Sequence, residues 1–494
     1  MTINRVAGAF RLIVPAVVLF SIWGGLEPFS ALMGQERRNV LFISADDLNA
    51  TLGCLGDPVV QTPHIDRLAR RGTLFERAYC QLAHCNPSRS SVLTGLRPDT
   101  LRIWRGYEHF RETQPDVVTL PEHFKRHGYF VQGIGKIFHN GSTKIQADAQ
   151  SWSVPEVMHW DNHQQDRAQG HDPVPPNLAT TPQTERRQVD DDAYFDGRIA
   201  AAAVSALREM KQRPEPFFLA VGFWKPHRPF NPPDRYWSMY DRAKIPLPAQ
   251  SRPPLGAPAL AVEPQYSNFT QDMLSEEAVR ELRHGYYAAI SYLDAQVGRV
   301  LAELDRLDLA KSTVVVFWSD HGLNVGEHGL WGKTSCFETD ARVPLVIATP
   351  DGVGAGNRTK SLVELVDLYP TVVALCDLPR AAGKEGYSLV SLLRDPQSAG
   401  RAAAFTQSVR PYTMNPEPRA MGYSLRTEHV RYTEWREWKT GMLVARELYD
   451  HRRDPDETFN RVEDPAFRAD VSRLTNMLAA HYEYRRARQT PPAR

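Results

Sequence analysis

Short apolar runs rich in β-branched and aromatic residues recur along this chain, and most end in polar groups: NVLFISADD, LFERAYC, FVQGIGK, FFLAVGFW and TVVVFWSDHG. Helical segments lie between them. One is TPHIDRLARRG; another runs from Ser275 to Leu307, where Val279, Leu282, Tyr286, Ile290, Leu293, Val297, Val300, Leu301 and Leu304 fall on one stripe. Continuous apolar runs are strands buried on both faces, and their alternation with helices predicts a largely parallel sheet flanked by helices. With 494 residues the chain has room for a large α/β domain and a smaller partner. From about residue 385 the pattern changes to the alternating pieces MGYSLRTEHVRYTEW and MLVARELYD, followed by the helical VSRLTNMLAAHYEYRRARQ. That predicts a small antiparallel sheet with one helix, and hence a catalytic domain over 38–384 and a C-terminal subdomain over 385–494. Residues 170–192 and 245–265, rich in proline and polar residues, read as surface excursions.

The first 34 residues differ from the rest. Arg5 and Arg11 precede the run LIVPAVVLFSIW, and small and polar residues follow it, the order of a secretory signal peptide. The run is shorter than the ~20 apolar residues a membrane span needs, and Pro15 interrupts it. The expectation is an exported protein, periplasmic or secreted, with no stable membrane span after processing. A net charge of +1 gives no sign of nucleic acid as a partner, and a polyanion would have to be met by a local cluster such as Arg97, Arg102 and Arg105. Five irregularly spaced cysteines exclude a disulfide-stapled scaffold and any CxxC metal knuckle.

In open α/β sheets functional groups gather beyond the carboxyl ends of the strands. Here those ends deliver Asp46 and Asp47, Lys136 and His139, Lys225 and His227, and Asp320 and His321. Adjacent aspartates repel each other unless a cation neutralises them, and with Asp320 they offer the hard oxygen ligands that Ca²⁺ or Mg²⁺ prefers. The alternative is that Asp46 and Asp47 cap the next segment and Asp320 opens a turn before Gly322. Between LFERAYC and a helical stretch stands HCNPSRSSVLTG, in which Pro87 suits a first helical turn and sets Cys85 near a helix N-terminus. Cys85 is open to two readings on these grounds: a buried inert thiol, or a nucleophilic thiolate.

The string CNPSRSSVLTG resembles the sulfatase signature, in which the cysteine is oxidised after synthesis to formylglycine. NVLFISADDLN, TPHIDRLARRG, GKIFHNG, KPHRPF, SDHGLNVGEHGLWGK, LVELVDLYPTVVAL and ELYDHRRDPDETFN also resemble sulfatase segments, in the family's order, from about Asn39 to Asn460. GKIFHNG, WKPHRPF and the Asp320–His321 pair are most similar to the iduronate-2-sulfatase branch. The resemblance implies an alkaline-phosphatase-like α/β sandwich with a large mixed, mostly parallel sheet. It also implies a maturation partner, either a formylglycine-generating enzyme or an anaerobic sulfatase-maturating enzyme, and a sulfated carbohydrate substrate.

Carried over by position, the resemblance gives Asp46, Asp47, Asp320 and His321 the task of holding one Ca²⁺ together with an oxygen of modified Cys85. Arg89 reaches back to that residue and to the carboxylates, while Lys136 and Lys333 bind sulfate oxygens. His139 accepts a proton from residue 85, and His227, with Lys333, protonates the leaving sugar oxygen. A 2-O-sulfated uronate of a sulfated glycan is the expected substrate. Two other readings use the same fold: a phosphate or phosphonate monoester hydrolase, and a non-catalytic glycan-binding relative.

Overall fold

A computed structural model describes residues 37–139, 143, 145, 147–158, 183–263, 274–412 and 417–486. The proposed signal peptide lies outside the described residues, as does part of the 170–192 stretch. Among the described residues the main sheet has eight strands. They are β1 (Asn39–Asp46), β2 (Thr73–Tyr79), β3 (Phe130–Gly135), β4 (Phe217–Pro226), β5 (Thr313–Ser319), β8 (Arg342–Ala348) and the short β9 (Arg358–Thr359) and β10 (Val363–Glu364). A two-stranded ribbon, β6 (Asn324–Val325) with β7 (Trp331–Gly332), lies apart from it. The order β10-β2-β8-β5-β1-β4-β3, with β9 beside β2, puts β1 at the centre, parallel to both β4 and β5. β8 is antiparallel to β5 and β2, so the sheet is mixed but mostly parallel, as the sequence predicts.

The period of two in each strand divides the interior into two cores. Leu41, Ile43 and Ala45 of β1 join Val315 and Phe317 against one helical layer: α1 (Pro63–Arg71), α4 (Phe195–Met210) and α5 (Glu276–Arg306). Val40 and Phe42 join Val314, Val316 and Trp318 against the other: α2 (Cys85–Thr94), α3 (Leu120–Arg126) and α6 (Leu368–Leu375). Because both faces are covered, every residue of β1 and β5 is buried, which is why those runs read as continuously apolar.

The C-terminal part is a four-stranded antiparallel sheet in sequential order, β11 (Ala404–Arg410), β12 (Ala420–Arg426), β13 (Val430–Glu437) and β14 (Leu443–Asp450). Helix α7 (Arg468–Arg486) covers one face, with Leu474 and Leu478 against Leu425, Tyr432 and Leu448. Residues 245–263 run largely exposed over the surface, as read from the sequence, but their end is docked. Ala261 is buried with Phe337, Trp435 and Tyr449, and Arg410 Nε donates to the Leu260 carbonyl at 2.7 Å. Ala257, Leu260, Ala261 and Val262 cover part of the other face of the second sheet, while Leu247 and Leu255 stay exposed. Among the described residues no helix is long and apolar enough to cross a membrane.

Candidate active site

Every residue of the site follows a strand end or opens a helix. β1 and β5, hydrogen-bonded in parallel register, end side by side, and side chains stitch their exits together. Asp47 N and His321 N both donate to Asp320 Oδ1, at 3.2 and 2.9 Å. Leu48 N donates to Ser319 Oγ (3.0 Å), which donates to the His321 carbonyl (3.0 Å). Lys136 leaves β3 with its amide on the Gly222 carbonyl (2.8 Å). A Cβ at Gly222 would stand 1.9 Å from the Lys136 carbonyl oxygen, so this crossing of β3 and β4 admits only glycine.

Helix α2 brings Cys85 to these strand ends. His84, with extended backbone, is its N-cap, Cys85 is its first residue, and Gly95 ends it in the left-handed conformation (φ 68°). All ten residues of α2 are buried, polar ones included, and two of the polar ones, Ser88 and Arg89, find their partners in the site. Ser88 Oγ donates to the Asp320 carbonyl (2.5 Å). Arg89 Nε donates to Asp320 Oδ2 (2.8 Å), both side chains being wholly buried, and its Nη2 donates to the Ala45 carbonyl (3.0 Å). The guanidinium thus fixes the Asp320 carboxylate and both flanking strand ends. Its hydrogen bonds go to Asp320, to the Ser44 hydroxyl (3.3 Å) and to the backbone, and it lies within electrostatic reach of Cys85.

Cys85 Sγ donates to Asp46 Oδ1 at 3.3 Å. Lys333 Nζ donates to Cys85 Sγ at 3.1 Å and to Asp47 Oδ1 at 2.6 Å. His321 Nε2 lies 3.3 Å from the same sulfur, 3.4 Å from Asp47 Oδ1 and 3.6 Å from Asp320 Oδ1. Ligand atoms of Asp46, Asp47, Cys85 and His321 lie within 4.8 Å of one another, and Asp320 stands beside them in the grip of Arg89. Lys136 pairs with Asp46. His227 Nε2 approaches Asp47 Oδ2 at 3.9 Å. His139 stands farther out, its ring 5.9 Å from that of His84, which in turn packs 4.4 Å from Tyr412 of the C-terminal part.

The electrostatics follow from buried opposite charges. Burial opposes ionisation of Asp46, yet Lys136, His227, Arg89 and Lys333 hold its carboxyl well below the usual carboxylate range. Asp47 is lowered against the same penalty, chiefly by Lys333. For Lys333, burial favours the neutral amine but Asp47 and the residue at 85 raise it well above a normal lysine. His321 is lifted to about 9 because Asp320 outweighs burial. For His227 burial wins over Asp47, and its pKa falls to about 4.

The donor set suits a hard divalent cation, since the buried carboxylates of Asp46 and Asp47 converge with His321 and residue 85, and Asp320 Oδ1 lies 3.6 Å from His321. The thiol of Cys85 is a poor donor to such an ion, whereas an oxygen in its place would complete an oxygen-rich set. Arg97, by contrast, takes no part in anion capture: its side chain is buried, and Nη1 donates to Glu364 Oε1 at 2.7 Å. A paired, core-facing guanidinium is indistinguishable in sequence from a solvated one. Sequence reasoning also missed Ser319 and the hydroxyl of Tyr286, which donates to the Asp47 carbonyl at 2.8 Å. Tyr286 was legible only as one apolar position on a helical stripe.

A family model described as Sulfatase matches residues 38–378, and one described as N-sulphoglucosamine sulphohydrolase, C-terminal, matches residues 326–483. The chain is 33% identical over 507 residues to iduronate 2-sulfatase of Mus musculus, across 87% of this chain and 91% of that protein. It is 33% identical over 506 residues to iduronate 2-sulfatase of Homo sapiens, across 87% and 92%. Among solved structures, the phosphonate monoester hydrolase of Agrobacterium radiobacter superposes with a TM-score of 0.74 at 23% identity, covering 91% of this chain and 96% of that one. Likeness at that identity speaks for the fold alone.

Proposed function

The chain belongs to the sulfatase family and hydrolyses sulfate esters, and from that premise we propose that it removes sulfate from a 2-O-sulfated uronate of a sulfated glycan, using formylglycine made from Cys85 and one Ca²⁺. The observation that carries this reading is the seat of Cys85 at the start of α2, within 3.3 Å of Asp46, His321 and Lys333. The name iduronate 2-sulfatase, borne by the mouse and human relatives, supports the choice of sugar and sulfate position. When in place, formylglycine would supply, as its hydrate, a nucleophilic hydroxyl for sulfur and a second hydroxyl as the means of expelling sulfate, and Ca²⁺ would supply charge that draws in the sulfate oxygens.

The chain's own groups do the rest. Asp46, Asp47, Asp320 and His321 hold the ion, and Arg89 keeps Asp320 in place. Lys136 and Lys333 bind the sulfate oxygens, and His139 takes a proton from residue 85. His227 Nδ1 donates to the Arg228 carbonyl at 2.6 Å, which leaves Nε2, on the side of Asp47, to carry a proton to the departing sugar oxygen. The ring rests neutral, and the arriving sulfate anion raises its affinity for that proton.

A phosphonate or phosphate ester is the competing substrate, favoured by the shared fold; a lone cysteine flanked by two lysines argues for sulfate. The chain is further read as exported after loss of residues 1–34, matured by a formylglycine-generating or anaerobic sulfatase-maturating enzyme, and divided into a catalytic part at 38–384 and a C-terminal part at 385–494. Peptide mass spectrometry of the segment holding Cys85, from protein made in its natural host, tests the chemistry: the thiol mass should be replaced by that of an aldehyde. Cys85→Ala should retain the fold and release no sulfate from a 2-O-sulfated uronate oligosaccharide. An intact thiol in fully active protein would overturn the proposal.

A further inference from the structure

Asp46 and Asp47 are neighbours at the end of β1, and neighbouring strand residues send their side chains to opposite faces of a sheet. Both nevertheless serve one site. Asp46 Oδ1 receives the Cys85 thiol (3.3 Å), and Asp47 Oδ1 receives Lys333 Nζ (2.6 Å), which also lies 3.1 Å from the same sulfur. Asp47 breaks the alternation by adopting φ 64°, a left-handed conformation that persists in a non-glycine residue only where the surroundings hold it.

Three successive amides of this turn donate to side chains: Asp47 N to Asp320 Oδ1, Leu48 N to Ser319 Oγ and Asn49 N to Tyr286 Oη, at 3.2, 3.0 and 3.0 Å. Asp320 and Ser319 belong to the adjoining strand end. Tyr286 comes from the middle of α5 and is fully buried in the core. Its hydroxyl also donates to the Asp47 carbonyl at 2.8 Å, so one oxygen bridges the two peptides that flank Leu48, directly after the left-handed residue.

We infer that Tyr286 is a positioning residue for the metal centre: its hydroxyl locks the left-handed turn that swings the Asp47 carboxylate onto the same ion as Asp46. The inference rests on the reading of Asp46 and Asp47 as metal ligands given above. Tyr286 touches neither ion nor substrate. Without the hydroxyl, Asn49 N and the Asp47 carbonyl lose their shared partner, and Asp47 is free to relax toward the extended conformation that turns its carboxylate away.

The test is calorimetric titration of Ca²⁺ into the full chain, with melting temperatures measured in chelator and at saturating Ca²⁺. Tyr292 supplies the control: it is fully buried on the same helix, accepts from Gly197 N (2.7 Å) and donates to the Asp191 carbonyl (2.9 Å). Tyr286→Phe should weaken Ca²⁺ binding about tenfold, the lower end of what loss of a group supporting a metal ligand costs, and shrink the rise in melting temperature that Ca²⁺ produces. Tyr292→Phe should lower the melting temperature in chelator and leave the Ca²⁺ affinity unchanged. Asp47→Ala should abolish binding. Wild-type affinity in Tyr286→Phe alongside lost binding in Asp47→Ala would overturn the positioning role alone. Wild-type affinity in Asp47→Ala would overturn the metal reading, and the inference with it.

Discussion

His227 gives the proposed mechanism its sharpest handle at the level of single residues. Its ring is a quarter exposed (26%), open enough to meet a substrate, and its Nδ1 is engaged by the Arg228 carbonyl. A general acid matters in proportion to how badly the leaving group needs a proton. A sugar alkoxide needs one; a nitrophenolate leaves unaided. His227→Gln should therefore lower kcat on a sugar sulfate by about 10²–10⁴-fold and lower it far less on an aryl sulfate with an acidic phenol. Steady-state kinetics on the two substrates check this, and equal losses on both would assign His227 to binding. The position of His227 was legible because a strand end between two prolines delivers it. The tautomer was not, since it depends on a carbonyl that only the folded loop brings to Nδ1.

Elements meet through buried ion pairs whose members lie far apart in the chain. Glu364, at the end of β10, accepts from Arg97 Nη1 (2.7 Å) and Phe405 N (2.9 Å) and pairs with Arg401 (2.9 Å), tying the exit of α2 to the first strand of the C-terminal sheet. Burial opposes its ionisation, but Arg401 and Arg97 bring its pKa from 4.5 down to about 2. A carboxyl lowered on folding stabilises the protein at pH above its unfolded value, and the gain is lost as pH falls through the folded value. The window is therefore pH 4.5 to about 2, and the contribution at neutral pH is on the order of 3 kcal/mol. Glu364→Gln should be less stable than wild type at pH 7 by a similar amount and lose stability less steeply across that window, as read by denaturant unfolding at stepped pH. Strand and helix positions were legible from apolar period alone, because β1, β5 and α5 owe their form to what they bury. Which charge faces which was not, since Arg97 and Glu364 are 267 residues apart and no local pattern joins them.

The assembly of the whole molecule depends on a charge knot between its two parts. Arg431 on β13 donates through Nε to Glu457 Oε1 (2.7 Å) and through Nη2 to Glu338 Oε2 (2.5 Å). Tyr79 Oη of the main sheet donates to Glu338 Oε1 (2.9 Å), and Glu338 follows the segment that carries Lys333. The sequence announced an antiparallel sheet in the C-terminal part, and a four-stranded one runs from Ala404 to Asp450. It did not disclose that the second sheet buttresses the first, because the contacts join isolated arginines and scattered apolar side chains, such as Phe337 with Trp435 and Tyr449, rather than an apolar repeat. Glu338, His451 and Glu457 come within 4.8 Å of one another, a spacing that would suit a metal, but the guanidinium of Arg431 already bridges the two carboxylates. Removing it leaves the buried Glu457 to His451 (2.9 Å) and the half-buried Glu338 to Arg426 (3.3 Å), with less positive charge than the two carboxylates need, a loss approaching about 3–5 kcal/mol for a broken buried pair. Arg431→Met should therefore lower unfolding stability by that order and reduce sulfatase activity by loosening the segment of Lys333. Adding Glu457→Gln to Arg431→Met should return part of the stability, because it removes one undercompensated charge, and the coupling appears in a double-mutant cycle measured by urea unfolding. Strict additivity of the two changes would mean that the guanidinium and the carboxylate act independently, and the C-terminal sheet would then be held by its apolar contacts and by the Glu364 pairs.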